Sequence, residues 1–90
     1  MINRTLTLSD KRSVFLVHTT ARFLGAALHD GKIIVMAQHA DDAPNVLEHR
    51  EVWNLGRHPE PERGLQFISS VETDIGVRHV YWTCVEGADA

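Results

Sequence analysis

Cysteine occurs once, at position 84, so no disulfide and no Cys-based zinc site can form within one chain. Cys84 sits in "HVYWTCVE", among strand-forming residues, where it reads as a small buried hydrophobe. A reactive thiol would want a basic, open setting, and none is nearby. Long apolar runs are missing too. The longest, Ile33 to Ala37, is far short of the roughly 20 residues a membrane-spanning helix needs. The opening "MINRTLTLSD" lacks the apolar core of a signal peptide. The expectation is a cytoplasmic protein with no membrane partner.

Basic charge is scarce. Nine Lys and Arg stand against twelve Asp and Glu, a formal net charge of −3, which argues against nucleic acid as a partner. The distribution is uneven: residues 1–36 carry a basic excess of three and residues 37–90 an acidic excess of six. Interleaving of the two halves in one sheet would erase that asymmetry.

Catalytic signatures are absent as well. There is no Gly-x-Ser-x-Gly, no glycine-rich phosphate loop before a helix and no Cys–His pairing of recognisable spacing. The six histidines, His18, His29, His39, His49, His58 and His79, include no pair at i, i+2 or i, i+4. Zinc would need three or four of them to converge from distant loops, so no metal and no cofactor are expected. His29 flanks a turn and His39 opens a loop, and both read as solvated. Asp41-Asp42 beside Pro44 reads as a solvated turn.

What is present is a run of short strands. Ninety residues with 43% hydrophobic and 23% charged content make one small soluble domain, taken as 1–86, with 87–90 a frayed tail. In "ARFLGAALHDGKIIVMAQ", Asp30-Gly31 is a two-residue hairpin signal, because a type I′ turn needs positive φ at both central positions. That turn pairs Leu28 with Ile33, Ala26 with Val35 and Leu24 with Ala37. Both faces of the ribbon are mostly apolar, which places it near the middle of the fold. A helix over Ala21–His29, capped by Thr20, competes. We prefer the strand, since Ile33–Met36 needs a partner.

"INRTLTL", "SVFLVHT", "HREVWNL", "LQFISSV" and "VRHVYWTCVE" add five more strands by alternation and β-branching. In the fourth of these, Leu65, Phe67, Ser69 and Val71 oppose Gln66, Ile68 and Ser70. The fold class is therefore all-β: a small antiparallel sandwich or partly open barrel of about seven short strands.

"NLGRHPEPERG", residues 54–64, holds the candidate site. Gly56 and Gly64 bracket it, and Pro59 and Pro61 force His58 and Glu60 into extended conformations. The result is a stiff protrusion displaying Arg57, His58, Glu60, Glu62 and Arg63. It is either a recognition element or a Pro-stiffened connection whose charges satisfy each other. As a site, Arg57 and Arg63 would grip phosphate or carboxylate oxygens, and His58 would be a switchable donor. Trp53, just before the loop, joins them as an aromatic anchor if exposed; otherwise it is core.

The strand order, with "ARFLGAALHDGKIIVMAQ", a D-rich loop, "HREVWNLGRHP", "GLQFISSV" and "VRHVYW", resembles a family of uncharacterised small β-rich proteins of tailed bacteriophages and prophages. Ala21, Arg22 and Leu24 match its "A-R-x-L" strand, and Gly31, Ile33 and Ala37 its second strand. Gly56, His58 and Pro59 match its "G-T-G-H-P"-like loop, and His79-Val80-Tyr81 its closing strand. Met36 stands where the family shows tryptophan, and the loop's second glycine is missing. The resemblance implies a phage accessory protein in the host cytoplasm and no reaction. The expected partner is a host protein or a small anionic signalling molecule, with counter-defence one outcome. The alternatives are a structural virion component, for head decoration or the tail, and a small hydrolase using His58 with a loop carboxylate. Strand 1, with Arg4 its only charge, has little to prevent edge pairing, so a homodimer through an edge strand is expected.

Overall fold

A computed structural model describes residues 1–85. The chain runs through β1 (Ile2–Thr7), β2 (Arg12–His18), β3 (Arg22–His29), β4 (Lys32–His39), β5 (Leu47–Leu55), β6 (Gln66–Thr73) and β7 (Gly76–Cys84). One sheet has the order β1-β4-β3 and the other β2-β5-β7-β6, all pairings antiparallel. The all-β sandwich read from the sequence is the fold. The sheets approach each other along β3 and β6. Along the opposite seam, Arg4 of β1 donates from Nη1 to the Leu16 carbonyl of β2 at 2.7 Å. The tail at 87–90 lies outside the described residues.

The central hairpin turns where expected, with φ of 51° at Asp30 and 75° at Gly31. Arg22–His29 forms β3, so the helix expected as a competitor over Ala21–His29 does not form. Two register expectations are corrected by β-bulges, each of which inserts a residue and reverses the alternation beyond it. In β3 the bulge at Leu24 gives Ala37 the partner Phe23 and leaves Leu24 53% exposed. In β6 the bulge at Ile68 turns Phe67 outward while Val71 is buried. The expected single face of Leu65, Phe67, Ser69 and Val71 is therefore split. Ile68 instead packs against the core.

The core lies between the sheets, with Val35, Val52 and Val80 fully buried. Within it, β4 is the middle strand of its sheet, but β3 is an edge and exposes Leu24 and Leu28. The hairpin is thus covered on one face only, because no third layer lies over the three-stranded sheet. Charge asymmetry partly survives folding. β1, β3 and β4 carry Arg4, Arg22 and Lys32 and no acid, since only β2 of the N-terminal half joins the other sheet.

One end of the sandwich closes on a buried cation. Arg50 is 3% exposed and donates to the carbonyls of Ala21 at 2.9 Å and Thr19 at 3.0 Å. Its Nε donates to Glu48 at 2.7 Å, and its guanidinium stacks 4.5 Å from the Trp82 ring centroid. The Arg50 guanidinium holds the Glu48 carboxyl below its ordinary range. Cys84 is exposed, contrary to the buried reading, because it stands at the end of β7 beyond the covered core. Its thiol donates to Glu48, and desolvation raises its pKa. His39 is half-buried and stacks on His18 with centroids 3.9 Å apart.

Candidate functional site

Pairing across the four-stranded sheet sets side chains in rows. Arg12 of β2 stands opposite Trp53 of β5, Trp53 opposite Tyr81 of β7, and Tyr81 opposite Phe67 of β6. One row of a cation and three aromatics thus crosses the whole outer face. The next row holds Leu55, His79 and Ser70. The bulge at Ile68 puts Phe67 and Ser70 on this same face.

The loop after β5 folds back onto these rows. His58 places Nδ1 2.5 Å from the Tyr81 hydroxyl and stacks on His79 at 3.9 Å between centroids. Phe67 meets the His58 ring edge-on at 5.7 Å. Further along, Pro61–Arg63 form a single 3₁₀ turn, closed by Gly64 at φ 70°. Glu60 enters that turn extended, with φ −68° and ψ 140°, as a residue before proline should. The turn sets the Arg63 guanidinium 5.9 Å from the Trp53 ring centroid, and Arg12 approaches the same ring at 5.9 Å. Both ends of the loop are therefore fastened to the sheet. The expected protrusion is instead a docked flap.

Of the four residues singled out from the sequence, Trp53, His58 and Arg63 come together on this face. Arg57 is exposed and makes no side-chain hydrogen bond or ion pair among the described residues. The loop carboxylates Glu60 and Glu62 make no bond to His58, whose polar partner is Tyr81. Sequence reading did not assign His79, Phe67, Ser70 or Arg12 to the site. Alternation sets Phe67 and Ser70 on opposite faces, and only the strand order and the bulge at Ile68 bring them together.

The electrostatics favour a neutral imidazole in the stack. Loss of hydration pushes the His79 pKa below 6.5, and repulsion from His58 and Arg78 adds to it. Ser70 Oγ lies 2.7 Å from His79 Nδ1, which fixes the ring's rotation. Trp53 is half-buried, so one part packs while the rest remains available. Exposed apolar side chains, Val14, Leu16, Leu47 and Val77, flank the site on the same sheet. No group of three or more metal-ligating side chains converges among the described residues. What the arrangement supports chemically is recognition: Trp53 and Phe67 accessible on either side of the buried Tyr81, the Arg63 guanidinium beside Trp53 while Arg12 is paired with Glu51, and a histidine pair that donates or accepts.

Comparison of the chain with protein-family models, curated proteins and solved structures found no match in any of the three.

Proposed function

We propose that the chain is a non-enzymatic binding protein of phage origin, acting in the host cytoplasm on a host protein or a small anionic signalling molecule. The observation that carries this reading is the docked loop, which holds Arg63 beside Trp53 while His58 is fixed on Tyr81 and His79. A site ordered before its ligand arrives loses little entropy on binding. Arginine supplies the planar fork that matches phosphate or carboxylate, and aromatic faces hold the body of the ligand. Counter-defence in the host is the proposed biological outcome.

The test is the double variant Arg57→Ala/Arg63→Ala, compared with wild type in melting temperature and in Trp53 fluorescence during titration with nucleoside mono- and triphosphates. Capture from host lysate is the parallel arm. Unchanged melting with lost response supports the reading. Retention of every wild-type response by the double variant refutes it.

A structural virion component is the second reading, favoured by the exposed Val14, Leu16 and Leu47 toward one end of the same outer face. Mass spectrometry of purified particles separates the two, since a counter-defence factor is absent from the virion. Homodimerisation through the β1 edge is part of the proposal. Light scattering near twice 10.1 kDa supports it, and a value near 10.1 kDa rules it out. A hydrolase using His58 requires that His58→Ala abolish a turnover.

A further inference from the structure

At the end of the sandwich opposite Arg50, the β1–β2 turn, the β3–β4 turn and the β6–β7 turn surround an open cleft of about 580 Å³. That volume lies within the range of small-molecule sites, which favour the mouths of β-barrels. Leu8 and Ile33, both buried, line its apolar interior. Leu28 and Ile75, 40% and 83% exposed, stand at its rim. A side chain as apolar as Ile75 on a turn has no packing role there.

One cation in the cleft is held in place. Arg78 donates from Nε to the Asn54 side-chain oxygen at 3.0 Å and from Nη2 to the Asn54 carbonyl at 2.9 Å. Asn54 is itself fixed: its side-chain nitrogen donates to the Asp10 carbonyl at 2.9 Å, and its backbone N–H to the Lys11 carbonyl at 2.9 Å. Nη1 has no partner among the described residues and is not buried away from solvent. No carboxylate among the described residues lies within salt-bridge distance of Arg78. A guanidinium has five N–H donors, so most of Arg78's capacity is unused.

Gly56 explains how the guanidinium fits. Its φ is not positive, so the backbone does not require glycine there. A Cβ at position 56 would instead lie 3.2 Å from Arg78 Nη1. The absent side chain is the space in which Nη1 sits.

The geometry points to a second binding site in this cleft, distinct from the outer face, for a small amphipathic carboxylate. Its apolar body lies on Leu8 and Ile33 beneath Leu28 and Ile75, and its carboxylate meets Arg78. Lys11 and Lys32 line the same cleft without ion-pair partners among the described residues and add to the attraction. Of the two acids there, Asp10 accepts the backbone N–H of Lys11 at 2.8 Å and is occupied in its turn. Asp74, at the tip of the β6–β7 turn, sets a limit of one anionic group on the ligand.

The experiment titrates ¹⁵N-labelled protein with octanoate and, separately, with octanamide, following amide shifts. Octanoate should move Leu8, Gly31, Ile33 and Ile75, and octanamide should bind about ten-fold more weakly or less, as loss of a charged hydrogen bond predicts. Gly56→Ala should weaken octanoate by displacing Nη1. Ile75→Asp, at a position too exposed to affect folding, should weaken it by removing apolar cover and adding repulsion. Equal binding of octanoate and octanamide overturns the proposal. So does an absence of shifts in the cleft, or octanoate shifts confined to Trp53 and Tyr81 on the outer face.

Discussion

Replacing Arg50 with methionine removes the guanidinium while keeping an unbranched apolar stem. The Ala21 carbonyl, buried and bonded to Nη1 at 2.9 Å, then loses its donor. An unsatisfied buried acceptor costs about 1–3 kcal/mol. The cation on the Trp82 ring, 4.5 Å away, adds roughly 0.5–2 kcal/mol. The Thr19 carbonyl and the Glu48 carboxylate also lose a partner, although Glu48 retains access to water. Relief of guanidinium desolvation offsets part of this, and with Glu48 left in water the carbonyl and cation–π contributions set a cost of about 1.5–5 kcal/mol. Domains of this size unfold with about 4–13 kcal/mol, on a per-residue scale of ~0.05–0.15 kcal/mol. At about 4–8 °C per kcal/mol, melting should fall by roughly 6–40 °C, followed by far-UV circular dichroism or calorimetry. Arg50→Lys, which keeps the charge but not the fork, should fall in between. Melting of Arg50→Met within about 2 °C of wild type, under 1 kcal/mol on the same scale, would refute the reasoning. The carbonyls would then be satisfied by water.

Tyr81→Phe should leave the core intact and cost about 0.5–1.5 kcal/mol, with faster proteolysis within the 56–64 loop as its specific sign. Acid should weaken the domain through His79. Its folded-state pKa lies below its ordinary 6.5, so the unfolded chain takes up the proton first. Stability is therefore unaffected above about pH 6.5, falls as pH drops through that value, and reaches its full loss below the folded-state pKa. Melting temperatures between about pH 8 and pH 5 should drop less steeply in His79→Gln than in wild type. Gly31→Ala should cost about 1–2 kcal/mol because its φ is +75°, whereas Gly25→Ala meets nothing within 4 Å at an ordinary φ and should be neutral or slightly stabilising. Chemical denaturation measures both.

The strands and the Asp30-Gly31 turn were legible in the sequence because both are local properties. Alternation and β-branching specify extended segments, and a two-residue loop with positive φ at both positions fixes the register next to it. Farther from the turn, register was lost. The bulge at Ile68 leaves no signature in an alternating pattern that runs straight through it, and the one at Leu24 is marked only by Gly25 in a run apolar on both faces. The loop was legible as a candidate for the same local reasons, from its glycines, prolines and charges. Its docking was not, because His58 meets Tyr81 and His79 only once β7 lies between β5 and β6. The same holds for Arg50, a charge within "HREVWNL" that becomes a buried cation bonded to the β2–β3 turn.

By itself, then, the sequence determined that the chain is all-β, where most of its strands run and where its central hairpin turns, since these depend on backbone torsions and side-chain period. Tertiary structure alone decided which side chains share a face. Contacts such as Trp53 with Arg63, or Gly56 with Arg78, join strands and loops whose order in space is set by burying Val35, Val52 and Val80 together. That burial is non-directional and acts across the whole chain, so no short stretch of sequence carries its outcome.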